Sequence, residues 1–94
     1  MKDCAIYIET AIKNSNLKNR AELCRILNIK QPSLFTLEKG KTLPSESTMI
    51  KLAELAGLPK EEALIDLNLW RSKNKPELQK VWQRLAKMIG CTLI

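Results

Sequence analysis

Apolar residues return every three or four positions along most of the 94-residue chain, and nowhere do they alternate with polar ones long enough to make a strand. That period belongs to helices, so the spacing predicts an all-α fold. Six segments carry it. The first runs from Cys4 to Lys13 behind Asp3, a suitable N-cap, with Ile8, Ala11 and Ile12 facing inward. The second runs from Arg20 to Leu27 behind Asn19. The third spans Gln31 to Lys39 and stops at Gly40, a residue suited to a left-handed C-cap. The fourth follows the loop Lys41-Thr42-Leu43-Pro44. Ser45 caps it, Met49, Leu52, Ala53 and Ala56 face inward, and Gly57 ends it before Pro59 blocks continuation.

The fifth segment, about Lys60 to Lys73, is apolar on two sides: Ala63, Leu64, Leu67 and Trp70 on one, Ile65 and Leu69 on the other. A helix with two apolar faces is sandwiched between neighbours. The sixth starts near Pro76, a good first-turn residue, and carries a single stripe of Leu78, Val81, Trp82, Leu85, Met88 and Ile89. Ser72-Lys73-Asn74-Lys75 is the nearest thing to a linker and is too short to separate domains. Residues 1–58 therefore read as one helical core, and residues 59–94 as C-terminal helices that complete it and supply a dimer interface.

The net charge is +6. That excess favours polyanions, nucleic acid ahead of an anionic membrane surface. Between Lys18 and Lys41 stand six basic residues (Lys18, Arg20, Arg25, Lys30, Lys39, Lys41) against two acidic ones, Glu22 and Glu38. Two-thirds of the excess thus falls in about a quarter of the chain. Enzymatic readings find no support. There is no histidine for acid–base or metal work, and no phosphate-binding or dinucleotide fingerprint. Adjacent Glu61 and Glu62 point apart on a helix and suit its first turn electrostatically. No cofactor, metal or small-molecule ligand is implied.

Cys4, Cys24 and Cys91 are odd in number and widely spaced, which fits neither a disulfide framework nor paired zinc ligands. Reduced thiols in the cytosol are the expectation. The chain shows no secretory stretch behind Met1, and no run approaches the ~20 apolar residues that cross a bilayer. The last four residues, Cys91-Thr92-Leu93-Ile94, match a prenylation box only formally.

The informative stretch is Arg20 to Gly40. Two short helices crossing steeply need a small residue where the backbones approach, and Cys24 serves. They need a turn residue that tolerates positive φ, and Asn28 is the best choice after glycine. They need apolar contacts on both sides of the turn, which Leu23, Leu27, Ile29, Leu34 and Leu37 supply. This stretch resembles the helix-turn-helix of the lambda repressor/Cro (XRE) family. Leu37-Glu38-Lys39-Gly40-Lys41-Thr42 and Pro44 resemble that family's exit loop, and the likeness covers about Leu17 to Leu58. Cys24 replaces the usual alanine, Asn28 the usual glycine, and Lys30 stands where a Ser or Thr N-cap is common. The segment from Gly57 to Lys87, with Trp70, Arg71, Pro76 and Trp82, is similar to small phage-related regulators, including those of filamentous phages.

The resemblance implies a lambda repressor-like bundle of about five helices with an additional C-terminal helix. It implies a cytoplasmic transcriptional regulator, in the bacterial cytosol and on the nucleoid when bound. The DNA major groove, ~12 Å wide, admits one α-helix. The third segment would present Gln31, Pro32, Ser33, Phe35 and Thr36 to base edges: Gln31 to adenine, Pro32 and Phe35 to thymine methyls. Arg20, Lys30, Lys39, Lys41 and Thr42 would hold phosphates. Taken singly, a Gln, Ser or Thr at a helix start is more often a cap or solvated; together on one face of this motif they favour base reading. A homodimer on a palindromic operator is expected, with Trp70, Trp82, Leu85 and Ile89 at its interface. Two rivals stand beside it. One is a protein-interaction module, an antitoxin or antirepressor, binding its partner through the last two helices. The other is a membrane-surface helix, but Lys80, Arg84 and Lys87 against Glu77 leave it only a modest charge.

Overall fold

The computed structural model describes residues 3–89; Cys91 and the formal prenylation box lie outside them. All regular structure among these residues is helical: α1 (Cys4–Asn14), α2 (Arg20–Leu27), α3 (Gln31–Glu38), α4 (Glu46–Ala56), α5 (Lys60–Arg71) and α6 (Pro76–Met88). The architecture is the lambda repressor-like helical bundle with a further C-terminal helix.

The helix ends follow from local chemistry. Asp3, Asn19 and Ser45 each accept a hydrogen bond from a backbone N–H in the first turn that follows, those of Ile6, Glu22 and Thr48. The Glu22 carboxylate reaches back to accept from the Lys18 N–H at 3.0 Å, a capping-box exchange displaced by one residue. Asn28 ends α2 at φ 56°, ψ 47°, the left-handed conformation that lets the chain reverse tightly. Gly57 ends α4 in the same region, at φ 72°. Lys30, by contrast, gives α3 no side-chain cap, and Pro32 sits in its first turn.

The core forms around α1 and α4. Ile8, Ala11, Leu52 and Ala56 meet Leu23, Cys24 and Leu27 of α2 and Leu34 and Leu37 of α3. Burial of each large aliphatic side chain contributes about 1.5–3 kcal/mol. These contacts therefore fix the α2–α3 crossing far more firmly than its short helices could do alone. Asn14 donates to the Ala56 carbonyl and Ser15 to that of Leu55, tying the end of α1 to the end of α4.

α5 is sandwiched. Ala63 and Leu67 join Tyr7, Met49 and Ala53, with Trp70 packed alongside. On its other side Ile65 and Leu69 meet Ala86 of α6, with Trp82 against them. Asp66 is fully buried between these faces and accepts a hydrogen bond from the Tyr7 hydroxyl. Of the apolar stripe of α6 only Trp82 is partly buried, beside the buried Ala86, whereas Leu78, Val81, Leu85, Met88 and Ile89 face outward.

Candidate nucleic-acid interface

The fold braces α3 on its inner side and leaves the other open. Leu34 and Leu37 are buried, while Gln31, Pro32, Ser33 and Phe35 are exposed. At 100° per residue, Gln31, Pro32 and Phe35 share one outward face and Ser33 sits on its flank. Phe35 is 57 % exposed, and the Lys39 ammonium lies 5.2 Å from its ring centre, one helical turn on. That contact spreads a cation over an aromatic face and stiffens both side chains.

Thr36 is half-buried and is held more tightly. Its hydroxyl donates to the Ser33 carbonyl at 2.8 Å and accepts from the Thr42 hydroxyl at 3.0 Å. The Thr36 carbonyl in turn accepts the Lys41 N–H at 3.0 Å. The loop after α3 therefore folds back onto the helix, and this brings Lys41 and Thr42 beside its far end.

Arg20 opens α2, and its guanidinium donates twice to Glu38, from Nε at 2.5 Å and from a terminal nitrogen at 3.0 Å. Hydrogen bonding to Glu38 pushes the Arg20 pKa up. Arg20 remains about half exposed, so its outer edge still faces solvent. Lys30, Lys39 and Lys41 are exposed as well. Both acids of this region are engaged locally: Glu38 with Arg20, and Glu22 with the Lys18 N–H. The exposed face is left basic.

The pairing of Arg20 with Glu38 has no signature in the sequence beyond opposite charge 18 residues apart. Arg25, one of the six basic residues between Lys18 and Lys41 but not among the expected contact residues, lines a cleft with Lys30 and Ser33. Trp70 stands edge-to-face on Tyr7, centroids 5.9 Å apart and planes at 79°. Its ring thus packs within the chain's own core. Trp82 is half-buried on α5, while Leu85 and Ile89 are exposed.

A helix-turn-helix family model matches residues 8–62, more than half of the chain. The protein belongs to the XRE family of helix-turn-helix proteins. The match begins within α1, takes in all of α2, α3 and α4, and ends in the first turn of α5, so it covers the whole face built on α3. This XRE-family protein is accordingly a DNA-binding transcription regulator whose partner is double-stranded DNA. No curated protein and no solved structure gives a significant match. Among the described residues no helix is long and apolar enough to cross a membrane.

Proposed function

We propose that the protein is a sequence-specific repressor of a phage or integrated-element promoter, acting as a homodimer on a palindromic operator. The observation that carries this reading is the outward face of α3, where Gln31, Pro32, Ser33 and Phe35 stand exposed on a helix anchored from behind. In it, Gln31 pairs with adenine N6 and N7, Pro32 and Phe35 meet thymine methyls, and Ser33 and Thr36 bond neighbouring bases. Lys30, Lys39, Lys41, Thr42 and the free edge of Arg20 hold phosphates. A bound dimer represses by occluding polymerase.

The dimer reading draws its support from α6. Leu78, Val81, Leu85, Met88 and Ile89 are all between 36 % and 75 % exposed in the single chain. A contiguous apolar strip of this kind costs free energy in water and marks a protein-contact surface. A second copy fits it because two recognition helices must be held about one DNA turn, ~34 Å, apart. Trp82 borders the strip, whereas the commitment of Trp70 to Tyr7 leaves it a minor share at most.

The same strip favours one rival, an antitoxin-like or antirepressor module that covers α6 with a different protein. Two measurements decide. A binding titration compares a genomic fragment beside the protein's own gene with random duplex at physiological salt; equal affinities defeat the specificity claim. Sedimentation of the purified protein distinguishes the occupants of α6: a stable dimer supports the homodimer, and a monomer at micromolar concentration refutes it.

A further inference from the structure

We infer that Arg25 is an additional phosphate-binding residue, working from a cleft at the corner between α2 and α3, so that the DNA footprint extends past the leading end of the recognition helix. This rests on the DNA-binding reading and adds to it a residue and a surface. The cleft is lined by Cys24, Arg25, Asn28, Ile29, Lys30 and Ser33. Buried Cys24 and half-buried Ile29 line its inner side; Arg25, Asn28, Lys30 and Ser33 are exposed around it. Two cations, a carboxamide and a hydroxyl thus converge with no acidic residue among the lining groups.

The left-handed turn at Asn28 is what brings them together, since it sends the chain back so that Lys30 and Ser33 stand beside Arg25. Arg25 is also uncommitted. Arg20 is held by Glu38 and Arg71 by Glu46, but Arg25 has no ion-pair partner among the described residues. The first turn of α3 adds a third element. It has no side-chain cap, so its leading N–H groups and the positive end of its dipole lie at the same corner. Anionic oxygen with several acceptor sites is the ligand this set of donors suits.

The source of that oxygen follows from continuity. Lys30 and Ser33 belong both to the cleft and to the exposed surface of α3. A duplex lying on α3 therefore brings the sugar-phosphate ridge bordering its groove to the cleft mouth. The guanidinium offers a planar pair of donors to one phosphate, while Lys30 acts on it, or on the next, as a point charge.

The test uses the full chain, a random-sequence duplex and the gene-flanking fragment, with affinity followed against salt. Arg25→Ala is expected to lower affinity several-fold on both duplexes alike and to reduce the slope of log affinity against log salt by about one unit. Arg25→Lys should retain the slope, because the charge remains. Arg25 is exposed, so both variants should show the parent's circular dichroism. An unchanged slope in Arg25→Ala, while the parent protein binds duplex, overturns this inference and leaves the DNA reading intact. A loss confined to one base position overturns it too, by making Arg25 a base reader. A parent protein that retains neither duplex removes the DNA reading and this inference together.

Discussion

The Arg20 guanidinium and the Glu38 carboxylate meet through two parallel hydrogen bonds, joining the first residue of α2 to the last of α3. The pair closes the helix-turn-helix at the end opposite the Asn28 turn. Both side chains keep some solvent contact, 51 % and 21 %, so the pair is worth only about 1 kcal/mol or less. Glu38→Gln should lower stability within that range, and a double-mutant cycle with Arg20→Gln in urea measures the coupling. The same change removes a negative charge beside the DNA face and frees Arg20. Affinity for random duplex should therefore rise in Glu38→Gln, and a fall would show that the pair positions Arg20 for its phosphate.

Tyr7→Phe tests the buried clasp between α1 and α5. It removes the hydroxyl that donates to Asp66, a carboxyl group with no solvent exposure. Removing a hydrogen bond to a buried acid costs about 1.5–3 kcal/mol. Chemical denaturation should show that loss with little change in the urea dependence, and a loss under 0.5 kcal/mol would mean that the acid is satisfied without Tyr7.

Stability should fall above pH 9 because of Cys4. Burial first, then the charges of Asp3 and Glu38, push its thiol from the ordinary 9.0 up to about 12. A raised thiol adds stability in full below the unfolded value and loses it as pH climbs toward the folded one. Between pH 9 and 12 the expected slope is therefore about −1.4 kcal/mol per pH unit from this group. Denaturation midpoints followed across that window should show it, and Cys4→Ala should flatten the curve by one proton. Burial raises Cys24 in the same direction.

Gln31→Ala should cost ~1–3 kcal/mol of binding at one base pair and relax the preference there. Lys41→Ala should weaken every duplex alike and lower the salt slope by about one unit. A set of single-base operator variants separates the two patterns. A uniform loss in Gln31→Ala would remove its base-reading role.

Leu85→Glu and Met88→Glu test the outward strip of α6. Met88 is 75 % exposed in the single chain, so its replacement should leave the protomer's melting behaviour at low concentration unchanged. Each change should shift a sedimenting dimer to monomer and weaken operator binding more than random-duplex binding. A dimer untouched by both would move the interface elsewhere.

Much of the fold is legible before any coordinates. Asn19, Asn28, Ser45 and Gly57 mark the ends of α2 and α4 because each solves a local problem of unpaired backbone groups. Met49, Leu52, Ala53 and Ala56 are all buried, as a period of 3.6 requires. The two apolar sides of α5 do meet two neighbours. What the chain conceals is partnership across distance. Tyr7 and Asp66 are 59 residues apart, and an acid inside an amphipathic segment looks solvated until α1 is laid against it. Periodicity likewise identifies the α6 stripe but not what covers it. Of the proposed contact residues, those of α3 stand out because two leucines fix which side is inward; Arg25 does not, because only the Asn28 reversal sets it beside Lys30.

The two ends of α3 are not equally secured. Its leading turn has no side-chain cap, whereas Thr36 is bolted to Ser33 and Thr42. Amide hydrogens near Gln31 should therefore exchange with solvent sooner than those near Thr36 in the free protein. On the proposed reading, a nucleic acid arriving at the uncapped end would supply the missing lid, and part of its attraction would go into quieting the backbone.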